Sequence, residues 1–293
     1  MTVRTRFAPS PTGKLHLGHA YAAKVASDLA RANGGHFFLR HEDIDVTRVR
    51  KEFYGGIEND LNWLGLKWDG PPLRQSDRLD AYAAALQTLD QFGAIYPCFC
   101  TRREIQAGAS TMLSAPHGPD GPHYPGTCRH FSPAERARKM RACIPHCWRL
   151  DSAFAARLTR SLTFTDLRFG QQNVDPELLG DVVLARKDIG TAYHLAVVVD
   201  DAFQKISHVT RGEDLLESTH VHRLLQSLLG FPQPIYLHHP LIVDESGTRL
   251  AKRNDALSLD TLRQAGTTPA EIFSRFPDPV SAEFPPPTRP AEG

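Results

Sequence analysis

Apolar and polar positions divide the 293-residue chain into an opening α/β stretch, a turn-rich middle and a second α/β stretch. Val3 to Phe7 reads as a strand, a Pro/Gly turn follows, and Gly18 to Ala32 carries apolar residues at helical spacing. Asn33-Gly34-Gly35 suits a left-handed helix C-cap, and His36 to Arg40 reads as a buried second strand. Strand, helix, strand is a βαβ unit, which implies parallel pairing through a right-handed crossover. Residues 49–64 place Phe53, Ile57, Leu61 and Leu64 on one helical face, with Trp63 close by. Residues 77–92 do the same with Leu79, Tyr82, Ala83, Leu86, Leu89 and Phe92, behind Ser76 or Asp77 as N-cap. Both predict helices covering a sheet, with their aromatics in the core. Ile95 to Phe99 predicts a further strand, at an edge or an end because it contains Pro97.

The pattern then breaks. Residues 108–127 are rich in Pro and Gly and predict a long loop. Further on, Tyr193 to Asp201 is a continuous apolar run ending in carboxylates, and Lys205 to Asp214 repeats the form, a strand ending in charge. A helix with Val221, Leu224, Leu225, Leu228 and Leu229 on its apolar face follows and closes at Gly230. Ile235 to Val243 predicts another strand. This second α/β half would complete one sheet around the inserted middle. Beyond Asp255 only two short helices are expected, Leu257 to Gln264 and Pro269 to Phe276, before a Pro-rich end from Pro277 that should fray.

Composition narrows the function classes. The chain is 41% hydrophobic, enough for one large or two modest cores, and its formal net charge of +1 gives no global polyanion-binding signature. No apolar run approaches the ~20 residues of a membrane span, and no signal core follows the N-terminus, so a cytoplasmic protein is expected. Nine basic residues (Arg102, Arg103, Arg129, Arg136, Arg138, Lys139, Arg141, Arg157, Arg160) make the middle locally basic, which fits a phosphodiester partner as well as a solvated helix face. Five cysteines, an odd number in a long chain, point to reduced thiols or a metal rather than a disulfide scaffold.

Three clusters carry candidate chemistry. Residues 5–20 run from a strand through a Pro/Gly turn into a helix whose first turn reads His16-Leu17-Gly18-His19. The first N–H groups of a helix lack intrahelical partners and the dipole is positive there, so an anion is favoured. Gly18 would admit a flat nucleotide close to the backbone, and His16 and His19 could donate to phosphate oxygens. Glu42 and Asp43 follow the second strand, where open α/β sheets bind ligands, beside the turn of Pro9 to Gly13. A carboxylate there would take an ammonium or a ribose, and an ordinary acidic turn reads equally well. Cys98-x-Cys100 and Cys128 bracket the long loop and predict a tetrahedral zinc clip. Spacing leaves its fourth ligand open among Tyr124, His123, His117 and His130. Cys143 and Cys147 read as buried thiols.

Taken together the motifs resemble a class I aminoacyl-tRNA synthetase, and within that class the glutamyl enzymes. Arg6-Phe7-Ala8-Pro9-Ser10-Pro11-Thr12-Gly13 with His16-Leu17-Gly18-His19 resembles the subfamily's HIGH signature. Arg40 to Asp45, Gln75 to Arg78, Val198 to Asp201 and Val209 to Asp214 resemble its other blocks. Arg249-Leu250-Ala251-Lys252-Arg253 stands where KMSKS is expected, with Lys252 kept and the serine replaced by Ala251. The chain stops shortly afterwards, and this short form resembles the glutamyl-Q tRNA(Asp) synthetases.

The resemblance implies an α/β fold with a discontinuous Rossmann-type nucleotide-binding parallel sheet over 1–100 and 190–256. It implies an inserted, zinc-stabilised α+β subdomain over 101–189, and a short helical segment over 257–293 with no anticodon-binding domain. The implied activity is ATP-dependent activation of L-glutamate as the adenylate, with transfer to the queuosine base in the anticodon of tRNA(Asp). Mg²⁺ would accompany ATP, and a monomer is expected. His16, Gly18, His19 and Lys252 would bind ATP, with His16, His19 and Lys252 catalytic through their hold on the phosphates. Arg6, Phe7, Ala8, Pro9, Ser10, Glu42, Tyr193 and Arg211 would bind glutamate: Glu42 pairs the ammonium, and Arg6 or Arg211 takes the side-chain carboxylate. Cys98, Cys100, Tyr124 and Cys128 match the family's zinc ligands. The rival readings are a small-molecule adenylate-forming enzyme that uses no tRNA, a non-catalytic RNA-binding remnant, and an enzyme charging the tRNA 3′ end.

Overall fold

A computed structural model describes residues 2–110, 117–118, 121–122, 124–242 and 258–280. The opening unit is β1 (Arg4–Phe7), α1 (Leu17–Ala32) and β2 (His36–His41), with β1 and β2 parallel in the register Arg4↔His36 to Phe7↔Leu39. The buried stripe of α1 is alanine: Ala20, Ala23, Ala26 and Ala30 are fully buried. Small side chains bring the helix close enough for the Thr5 hydroxyl to donate to the Ala26 carbonyl at 2.7 Å. The helix ends as its sequence requires, with Gly34 at φ +60°, Gly34 N–H on Arg31 O and Gly35 N–H on Ala30 O. Helix α2 (Lys51–Trp63) covers the sheet with Ile57 and Leu61, β3 (Leu73–Arg74) pairs parallel with β2, and α3 (Leu79–Gln91) follows. Ser76 does not cap α3; its N–H and hydroxyl both donate to buried Asp43 at 2.8 Å. Leu79 and Phe92, expected on the inner face, are exposed at the two ends of the helix.

The middle comprises β4 (Ile95–Cys98), α4 (Arg102–Ser110), the short pair β5 (His117–Gly118) and β6 (Gly121–Pro122), α5 (Pro133–Arg141), β7 (Cys147–Leu150), α6 (Ser152–Thr159), the hairpin β8 (Thr163–Asp166) and β9 (Gly170–Asn173), and β10 (Val183–Ala185). Strand pairing divides the chain differently from composition. β4, ahead of residue 101, forms an antiparallel sheet with β7 and β10, as an edge strand that accommodates Pro97. The 101–189 stretch in turn lends β8 and β9 to the second half. The partners are distant in sequence, so no local pattern could assign them. Buried Asp181 clamps this region by accepting from the Tyr96 hydroxyl and from Ser152 N and Oγ.

The second half contains one clear departure. Tyr193–Phe203 is a helix, α7, not a strand, and His194 to Asp201 are all buried. A continuous apolar run fits a buried strand and a buried helix alike; here α7 packs between α3, α8 (Ser218–Leu228) and β10, so every face is covered. β11 (His208–Gly212) pairs parallel with β12 (Ile235–His239), and β12 with β8 through Tyr236↔Asp166. β11 lies beside β1, where Ser207 N–H donates to Arg4 O at 3.0 Å, so the two halves abut edge to edge. After residue 258, α9 (Leu259–Gln264) and α10 (Pro269–Phe273) bury Leu259 and Ile272 in the core of the first half.

At the β8–β12 junction Asp166 accepts from His238 N–H at 3.1 Å and lies 2.6 Å from His238 Nδ1. Burial pushes the His238 imidazole down to about 4, although Asp166 works the other way. His222, held well below its usual value by burial and by Arg211, shifts in the same direction, as do His41, His208, His220 and His239. Between pH ~6.5 and ~4 the unfolded chain therefore binds protons that the folded chain does not, so stability falls as pH falls. Asp60, raised to about 6 by burial, and Glu42, shifted upward for the same reason, oppose this. The melting temperature should drop between pH 7 and pH 5, with a loss of stability that approaches about 1.4 kcal/mol per pH unit for His238 once the pH is below ~6.5. Calorimetry across that window checks it. A second expectation concerns Gly35, where an added Cβ would sit 2.1 Å from the Val3 carbonyl oxygen. Gly35→Ala should destabilise by about 1–3 kcal/mol in urea titrations, because backbone on both sides resists displacement.

Candidate active site

A cleft of about 770 Å³ opens at the carboxyl ends of β1, β2, β11 and β12 and at the N-terminus of α1. Arg6, Phe7, Ala8, Pro9, Ser10, His16, Gly18, His19, Glu42, Tyr193 and Arg211 all line it. Lys252, with the rest of Arg249 to Arg253, lies outside the described residues. The chain passes from Ile242, which lines the cleft, to Ser258, which bridges to His16. Leu259 N–H then donates to the Leu15 carbonyl at 2.8 Å.

The first turn of α1 caps itself with its histidines. His16 Nδ1 accepts from Gly18 N–H and His19 Nδ1 from His16 N–H, both at 3.2 Å, with the rings 3.8 Å apart. Each neutral ring must therefore carry its proton on Nε2. Glycine at position 18 also suits the cap itself, because an added Cβ would meet the His16 ring at 3.2 Å. No acidic residue occupies this first turn, so the dipole's positive end stays available to an anion.

Beside it lie two cations and two carboxylates. Arg6, 5% exposed, donates through Nε and Nη2 to Asp201 at 2.9 and 3.4 Å and through Nη1 to the Thr210 carbonyl. Fully buried Arg40 reaches Asp201 at 2.8 Å and Glu42 at 3.5 Å. Burial would raise the Asp201 carboxyl, but Arg6 and Arg40 outweigh it and hold the group below its usual range. Glu42 shifts the opposite way, because burial outweighs the pull of Arg40 and Arg6. A carboxylate so placed gains from an incoming ammonium. Glu42 N–H donates to the Pro9 carbonyl, which sets it against the turn as expected. Asp43 turns away and accepts from Tyr54 and Ser76.

Arg211, 6% exposed, lines the same cleft from β11. Its partners among the described residues are all neutral: His238, His222, Thr219 and the Tyr193 hydroxyl. The cleft thus offers an anion-favouring helix end, a carboxylate for a cation and a buried guanidinium for an anion. Sequence reasoning missed Thr210, Asp214, Ser218 and His239 in the lining, and Asp166, Asp201, His222 and His238 behind it. Asp201, Thr210 and Asp214 sit in blocks already singled out; the others belong to no local motif.

About the long loop, the Sγ atoms of Cys98, Cys100 and Cys128 lie within 4.8 Å of one another. Cys100 and Cys128 are 3.5 Å apart, and Tyr124 Oη is 3.5 Å from Cys100 Sγ while accepting from Cys128 N–H. Zinc bound to thiolates at ~2.3 Å spaces its sulfurs at just such separations, so the set fits a tetrahedral site. Cys147 is buried as expected and faces Cys98 across β4–β7. Its hydrogen bond, with those of Tyr124 and Arg149, holds the Cys98 thiol low despite burial. Cys143 is exposed, not buried, because it sits in the positive-φ turn after α5, ahead of β7.

Residues 2–276 match the family described as tRNA synthetases class I (E and Q), catalytic domain. The glutamyl-Q tRNA(Asp) synthetase of Rhodobacter capsulatus is 51% identical over 273 residues, covering 92% of this chain and 97% of that protein. The one from Nitratidesulfovibrio vulgaris is 45% identical, over 92% of this chain and 84% of its own length. Among solved structures, a glutamate tRNA ligase from Elizabethkingia meningosepticum, in complex with its amino acid, superposes with a TM-score of 0.74 at 32% identity. That match covers 86% of this chain and 52% of the ligase, so the chain spans about half the length of that enzyme. A parallel α/β sheet, the cleft at its carboxyl edge and these matches agree: the chain belongs to the class I tRNA synthetases for glutamate and glutamine, within the glutamyl-Q tRNA(Asp) synthetase family.

Proposed function

We propose that this enzyme activates L-glutamate with ATP and passes the glutamyl group to the queuosine base in the anticodon of tRNA(Asp). The observation that carries the reading is the pairing of charges in one cleft: Glu42 for an ammonium, Arg211 for a carboxylate, and the His16–His19 helix end for phosphates. The queuosine acceptor rests on the names of relatives that share nearly the whole length of this chain. Arg102, Arg103, Arg138 and Arg141 are exposed on the middle segment and suit a phosphodiester backbone.

In the first step an oxygen of the substrate α-carboxylate attacks the α-phosphorus of ATP and pyrophosphate leaves. In the second, an acceptor hydroxyl attacks the acyl carbon, loses its proton, and AMP leaves. A carboxylate nucleophile needs no general base, so the protein's part is to position and to stabilise phosphoryl charge. His16 and His19 donate from Nε2 to phosphate oxygens, Gly18 lets the nucleotide approach, and Lys252 neutralises charge on the departing pyrophosphate. Mg²⁺, which class I synthetases use with ATP, supplies further positive charge at the phosphates. Glu42 holds the ammonium, Tyr193 donates a hydroxyl contact, and Phe7 to Ser10 form the wall beneath the amino acid. Arg6, ion-paired with the Asp201 carboxylate that it shares with Arg40, adds a directed donor with part of its charge already engaged. Cys98, Cys100, Tyr124 and Cys128 hold one structural zinc, which fastens a segment with little core of its own.

ATP-dependent transfer of labelled glutamate to tRNA(Asp) should require queuosine. Equal labelling of tRNA lacking it would favour 3′-end charging, and exchange without any labelling would favour a small-molecule adenylating enzyme. Purified protein should contain one zinc per chain by elemental analysis. Cys128→Ala should lose the metal and melt several degrees lower; an unchanged melting curve with no zinc in the parent would remove the metal from the account.

A further inference from the structure

Arg211 is the exception among the buried arginines of this region. Arg6 and Arg40 share Asp201, Arg78 binds Asp200, and Arg168 binds Glu213. Arg211 instead donates from Nε to His238 Nε2 and from Nη1 to His222 Nδ1, both at 3.0 Å, and from Nη2 to the Thr219 hydroxyl. A guanidinium has only donors, so each of those ring nitrogens must be bare. Both tautomers are fixed from behind. His238 carries its proton on Nδ1, toward Asp166, and His222 carries its own on Nε2, 3.1 Å from His194 Nδ1. The Asp166 charge is itself engaged by the backbone N–H groups of Arg168, Phe169 and His238. A carboxylate at either histidine position would bind the guanidinium more strongly and would cancel its charge.

We propose that His222 and His238 are positioning residues that hold Arg211 through neutral nitrogens, so that its charge is kept for the side-chain carboxylate of the substrate. The inference rests on the proposed glutamate activation. The α-carboxylate must stay free to attack phosphorus, so the anion fixed by a buried guanidinium is the one on the side chain. Burial keeps both rings neutral at physiological pH, consistent with the bare nitrogens the geometry requires.

The test compares two substitutions of equal shape. In His222→Asn the amide oxygen can take the place of Nδ1 as a neutral acceptor; His222→Asp presents the same outline with a charge. The readout is glutamate-dependent ATP–pyrophosphate exchange, with KM for glutamate and for ATP measured separately. His222→Asn should retain glutamate KM within about threefold of wild type, and His222→Asp should raise it at least ~tenfold with ATP KM nearly unchanged. Equal glutamate KM in the two variants overturns the proposal. If His222→Asp fails to fold, His238→Gln against His238→Glu makes the same comparison from the other side of the guanidinium. Absence of glutamate-dependent exchange in the wild type would instead overturn the proposed function, so the two failures are distinguishable.

Discussion

The architecture depends on compensating two adjacent buried carboxylates at the end of α7. Asp200 accepts from Gln75, Arg78 and Tyr82, and Asp201 from Arg6 and Arg40. A buried charge without partners would cost several kcal/mol, so these bonds must form together or not at all. One helix end thereby fastens the segment before α3, the first strand and the second strand. Helical geometry makes this possible, because neighbouring residues point about 100° apart and reach different elements. The same bonds aim the guanidinium of Arg6 along the wall of the cleft.

Charge in the cleft is apportioned accordingly. Cations that serve the fold are ion-paired with Asp200, Asp201 or Glu213, whereas Arg211 rests on imidazoles and hydroxyls. Glu42 is its counterpart: half-buried and only loosely paired with Arg40. The same cleft holds a helix end whose histidines cap the backbone through Nδ1 and thereby orient Nε2. In the proposed reaction these three features would divide the recognition of an amino acid and a nucleotide among groups that do not compete for one another's protons.

The segments flanking this centre are held by similar means. Asp181 collects Tyr96, Ser152 and Arg129 around the inserted sheet, while Arg149 stacks over the Tyr124 ring beside the cysteine cluster. At the other side, Leu259 and Ile272 return to the core beneath α1, and Ser258 meets His16 directly. The C-terminal helices therefore lend support to the signature turn from which the site is built.

Much of the site was legible in the sequence because its signals are local. The βαβ opening, the Schellman ending at Gly34-Gly35, the anion-favouring first turn of α1, Glu42 beside Pro9 and the Cys-x-Cys cluster each depend on residues close together in the chain. Tertiary structure decided what depends on distant partners. Tyr193 to Asp201 could be a strand or a helix until α3, α8 and β10 covered all its faces. β4 and β8 found their sheets only through strands some fifty or more residues away. The contrast between Arg6 and Arg211, identical residues in the sequence, arises because one meets a carboxylate and the other meets two histidines across the fold. Local propensity is written in neighbouring residues, but the neutralisation of a buried charge is written only in space.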